Sequence, residues 1–158
     1  MGHHEFCWKG KSMLIRKSLL LAIGGVLVLS ATVSAKEIAI IVGKNHPLTR
    51  LTVIELAEIY RGQEEVVKGV RINPLDHNDA QDIRSAFLNK VMRMNQEVYI
   101  NYWNHRLFQE GGTPPLVKTD AGEVIRTVRE KEGAIGYIWS SETAGLDDIR
   151  VILTIEIP

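Results

Sequence analysis

The chain has 158 residues, with 19 Lys and Arg against 19 Asp and Glu, which is room for a single modest core. The even balance builds no strong field and excludes nucleic acid and anionic membrane surfaces as partners. The one cysteine, Cys7, lies near the N-terminus, so the rest of the chain can hold no disulfide, thiol nucleophile or cysteine metal site.

The first segment is a leader. Arg16 and Lys17 precede an apolar run over 19–29, and Val33-Ser34-Ala35 follows with small residues at the spacing signal peptidase accepts. A membrane-spanning helix needs about 20 apolar residues, and this run is shorter and interrupted by Gly24-Gly25. Residues 1–35 are therefore expected to be a leader and cleavable signal peptide, and 36–158 the exported, periplasmic domain. Met13 reads as the natural start, and His3-His4 has no assigned role. The expected mature chain has 158 − 35 = 123 residues, with 15 basic against 18 acidic, close to −3.

Within the domain, residues 38–42 are β-branched and apolar and predict a buried strand. Thr52-Val-Ile-Glu55 has capping-box spacing and opens a helix that Gly62 stops. A second strand is expected over 70–75. Asp79 is expected to cap a helix bearing Ile83, Phe87, Leu88 and Val91, and Asn95 to cap another through Tyr99, Tyr102, Trp103 and Phe108. Thr113-Pro114-Pro115 forbids regular structure. Asp120-Ala-Gly-Glu123 opens a further helix, Gly133 ends it, and strands follow over 134–138 and 151–155. Strands separated by helices predict an α/β domain, its mixed, mostly parallel sheet covered by helices on both faces.

Several segments are familiar in order and spacing. The stretch from Leu51 to Gly62, Ile72-Asn-Pro-Leu-Asp76 with Ala86-Phe87, and the run from Gly122 to Gly133-Ala-Ile-Gly-Tyr137-Ile138 resemble the second lobe of phosphate-type (type 2) periplasmic binding proteins of ABC transporters. Tyr102-Trp103, Phe108 and Gly112-Thr-Pro-Pro115 resemble a shorter branch of small one-lobe exported proteins. The resemblance implies a single lobe, a solute-binding role and no enzyme activity. It also exposes a departure. The larger relatives meet phosphate with an arginine and a Ser-Gly-Thr turn. Residues 76–82 here are Asp-His-Asn-Asp-Ala-Gln-Asp, with neither.

The ligand-binding residues expected on one sheet edge are Asn45, His77, Asn78, Gln81, Arg84, Thr113, Ser140 and Ser141, with Arg84 as the anion contact or as a surface partner of Asp79 or Asp82. Gly133 and Gly136 read first as packing glycines. A cation site from Asp76, His77, Asp79 and Asp82, a histidine triad of His46, His77 and His105, and an acid/base pair of Asp76 and Glu110 are each outweighed by capping or packing roles. No catalytic residue, metal or cofactor is expected. The candidate partners are a small anionic or organic solute, an ABC transporter or other periplasmic protein, and a second copy of the chain. The alternative to solute binding is a protein-interaction module or dimerising lobe with no small-molecule ligand.

Overall fold

The computed structural model describes residues 35–158. The leader and signal reading falls on residues outside that range, apart from Ala35. Among the described residues no helix is long and apolar enough to cross a membrane.

The first strand, β1 (Lys36–Gly43), shows why the chain builds a two-faced sheet. Its side chains alternate: Ile38, Ile40 and Val42 enter one buried cluster, while Ala39 and Ile41 enter the other. Helix α1 (Val53–Tyr60) follows, with both halves of the Thr52–Glu55 capping box formed. A small hairpin, β2 (Val66–Val67) and β3 (Val70–Arg71), leads into β4 (Asn73–His77). The strand expected over 70–75 is thus two strands interrupted at Ile72, whose N–H bonds the Glu65 carbonyl instead of a sheet neighbour.

Helix α2 (Asp82–Phe87) starts later than expected. Gln81 occupies the N-cap and makes no side-chain cap bond, so the capping role read for Asp79 is not observed. The chain instead turns through Asn78, whose Oδ1 accepts from the Ala80 N–H at 3.2 Å. Residues Leu88–Met92 continue as a π-helical turn that ends on Arg93 at φ 55°. The Met92 carbonyl at this turn accepts from the Arg61 guanidinium at 3.0 Å. Helix α3 (Gln96–Gln109) is capped by Asn95 as read. The short strand β5 (Leu116–Lys118) was not foreseen. Then come α4 (Ala121–Glu130), capped by Asp120, β6 (Ala134–Trp139), a single turn of 3-10 helix (Ser140–Glu142) and β7 (Ile149–Ile157).

The five-stranded sheet has the order β5-β4-β6-β1-β7. β4 pairs parallel with both β5 and β6, and β1 pairs antiparallel with β6 and β7. Four of the strands therefore run one way and β1 alone runs the other: a mixed, mostly parallel sheet. One face carries α1, α2 and α3 through Leu56, Tyr60, Phe87, Tyr99 and Trp103; the other carries α4 through Val124 and Val128. Phe108, read as core or groove lining, points to solvent.

Two glycines set local geometry. Gly133 sits at φ 77°, and a Cβ there would lie 2.1 Å from the Arg71 carbonyl oxygen, so the turn from α4 into β6 admits no side chain. A Cβ on Gly136 would collide with Val124 Cγ1, so the missing side chain lets α4 pack closely on β6 there.

Candidate functional site

At the carboxyl end of β4 a buried polar cluster replaces the apolar core. Asp76 Oδ2 accepts from Arg84 Nε at 3.1 Å, and Oδ1 accepts from the Tyr137 hydroxyl at 2.6 Å and from the His77 N–H at 2.8 Å. Asp76, His77 and Arg84 are all buried. A buried carboxylate is tolerable when paired and hydrogen-bonded in this way. Burial, followed by the charge of Asp76, pushes the Tyr137 phenol well above its usual range, so it remains the donor. The Tyr137 ring stacks on Phe87 with centroids 4.0 Å apart, which fixes the phenol's position.

His77 belongs to the same cluster. Its Nε2 donates to the Tyr137 carbonyl at 2.7 Å, which leaves Nδ1 buried without a protein partner. On the neighbouring strand end, the Ser140 hydroxyl is also buried without a partner. Ser140 and Ser141, with Lys36, Glu37 and Trp139, line a depression of about 690 Å³, and the Lys36 ammonium lies 4.9 Å from the Trp139 ring centroid. Asn78 and Gln81 both donate to the Thr119 carbonyl, tying the start of α2 to the end of β5.

The expected residues divide between two edges. His77, Asn78, Gln81, Ser140 and Ser141, with Arg84 behind them, follow the carboxyl ends of β4 and β6. Asn45 does not join them, because β1 runs opposite to β6 and its carboxyl end lies at the other edge. Asn45 and His46 line a groove of about 430 Å³ there with Lys44, Arg129 and Asp148. Thr113 precedes β5 and so also lies away from the β4 end; it lines a separate groove of about 570 Å³ with Trp103, Arg71 and Lys131. The convergence of all the expected residues on one edge is corrected by this topology.

Arg84 also needs correction. It pairs with buried Asp76, not with Asp79 or Asp82 on the surface. The other constellations come apart. His46 and His77 are at opposite edges, and His105 is exposed on α3. Asp76 and Glu110 are held by different arginines, Arg84 and Arg106. His46 accepts the Leu48 N–H through Nδ1 at 3.1 Å, and burial, then the charge of Arg150, holds its pKa below the usual imidazole range. Among the described residues no three His, Cys, Asp or Glu side chains are grouped to hold a metal ion.

Solved structures share this architecture. A protein of Clostridium perfringens described as a phosphate ABC transporter substrate-binding protein, with bound phosphate, superposes with a TM-score of 0.58 at 25% identity over 75% of this chain and 45% of its own. The fold is that of one binding-protein lobe. An ABC-type phosphate transport receptor from Vibrio cholerae matches at TM-score 0.58 and 19% identity over 75% of this chain and 46% of its own. PstS from Borrelia burgdorferi matches at 0.56 and 19% over 75% and 47%. The chain thus spans about half the length of these neighbours. No family model and no curated protein matches the chain.

Within the lobe, sequence reasoning missed Asp76 and Tyr137 as the partners that immobilise Arg84 and His77. The eight-residue separation of Asp76 and Arg84 spans a loop as well as a helix start, and Tyr137 lies on another strand. Alternation in the two strands was the one available signal, since it puts Asp76 on the face opposite Leu75 and Tyr137 on the face opposite Ile138, which in the fold are the same face.

Proposed function

We propose that the chain is an exported, periplasmic solute-binding lobe that works without enzymatic chemistry, and that its ligand edge is the carboxyl end of β4 and β6. The observation that carries this reading is the pair of buried polar atoms without protein partners there, His77 Nδ1 and Ser140 Oγ, in a lobe whose fold matches a phosphate-bound neighbour. Open α/β sheets bind ligands at such strand ends.

Charge sets the ligand class. Arg84 is already balanced by Asp76, while Asp79 and Asp82 stand exposed on the approach. A phosphate dianion finds Arg84 already paired and, beside the two serines, one lysine, Lys36, next to Glu37, and the arginine and Ser-Gly-Thr turn suggested by the resemblance are absent. A small organic acid or other singly charged or neutral solute fits better. Asn78, Gln81, Ser140 and Ser141 supply its hydrogen bonds, and an ABC transporter or other periplasmic protein would receive it.

A thermal-shift screen of the mature chain against phosphate, divalent cations and small organic acids tests this, because a ligand bound only by the folded state raises the melting temperature. The expected result is a shift with an organic acid that Ser140→Ala removes without altering the unliganded melting temperature. Silence across the screen would sink the solute reading in favour of a protein-interaction lobe.

A further inference from the structure

The two edges of the sheet are not alike. The edge strand β5 spans three residues, a length that protects itself. The opposite edge strand, β7, spans nine, and six of them are Ile, Val or Leu. It contains no Pro, Gly or Lys, the residues that usually blunt an exposed edge. Its one arginine, Arg150, is turned inward to the carbonyls of Lys44 and His46. Among the described residues no strand pairs with the outer side of β7.

The strand's own pattern selects a partner. The register with β1 shifts between Ile40 and Ile41, which leaves Ile152 without an opposite residue. Residues 153–157 are the longest regular stretch, and Ile155 is its centre. Leu153, Ile155 and Ile157 pack on the face that carries α1 to α3. Thr154 and Glu156 lie on the other face and are exposed.

We propose that two copies of the chain pair antiparallel through β7 about a two-fold axis at Ile155, joining two five-stranded sheets into one. In that register Leu153 faces Ile157 of the second copy, Ile155 faces its own counterpart, and Thr154 faces Glu156. Apolar residues meet apolar ones and polar meet polar, as an isologous interface requires. A shift of one residue in either strand would set Leu153 against Glu156 and lose this match. The proposal does not rest on the solute reading.

Sedimentation equilibrium of the mature chain tests it. The wild type should show a concentration-dependent dimer. Thr154→Glu sets like charges directly opposite each other twice per dimer and should weaken association about tenfold. The double variant Thr154→Glu with Glu156→Lys should restore it. Both side chains are exposed, so circular dichroism should show unchanged folding. Should Thr154→Glu fail to fold, Thr154→Lys decides the same register, because it should tighten the dimer. A chain that stays monomeric at every concentration reached, or a dimer indifferent to these charges, overturns the proposal.

Discussion

Arg84 shows how a residue's role depends on a partner the local sequence does not reveal. Read along the helix, it has Asp82 and Asp79 beside it; in the fold its Nε meets buried Asp76 at 3.1 Å. Removing one member of a buried pair strands the other, at a cost of about 3–5 kcal/mol. Arg84→Met should therefore destabilise the chain by about 3 kcal/mol in urea unfolding, and adding Asp76→Asn should recover part of that loss, because the amide oxygen can still accept from the Tyr137 hydroxyl and the His77 N–H while no charge is left buried. Arg84→Ala is for the same reason no clean probe of ligand binding. Ser140 is the better one.

His46 makes a pH prediction at the same scale. Its folded-state pKa lies below the ordinary 6.5 because of burial and then Arg150. As pH falls below 6.5, the unfolded chain takes up the proton before the folded one does, so this group's contribution to stability is full above that pH and declines beneath it. In His46→Asn the side-chain oxygen can still accept the Leu48 N–H, but nothing titrates. Thermal unfolding between about pH 7 and pH 5 should show a smaller loss of melting temperature in the variant than in the wild type; equal losses would refute the assignment.

At the scale of elements, the legible features were those fixed by neighbours in sequence. Thr52, Asn95 and Asp120 cap their helices as read because each bond closes within three residues. The Asp120 box differs in one detail: the Glu123 carboxylate reaches back to the Thr119 N–H and hydroxyl. Asp79 failed as a cap because the Asn78 turn intervenes. β2, β3 and β5 are two or three residues long, too short for alternation to register. Gly133 was legible as a helix stop, and the structure adds the close Arg71 carbonyl. Gly133→Ala should cost about 1–3 kcal/mol through positive φ and the clash. Gly62, also at positive φ, has only the rim of the Trp103 ring near its missing Cβ. Gly62→Ala should therefore be the milder of the two in chemical denaturation, and a reversal of that order would contradict the packing account.

For the whole molecule, alternating strands and helices sufficed for an α/β lobe. The direction of β1 was the piece the sequence could not supply. An antiparallel strand looks locally like a parallel one, yet its reversal carries Asn45 to the far edge and divides the expected site. What remains at the β4 and β6 ends is a hydrogen-bonding edge whose single arginine is already paired, in a chain spanning about half the length of the solved structures it matches. The central proposal is that this lobe binds phosphate weakly or not at all. Isothermal titration of the mature chain with inorganic phosphate measures it directly. The account predicts a dissociation constant no better than about 1 mM, or roughly −4 kcal/mol. Micromolar binding would contradict it.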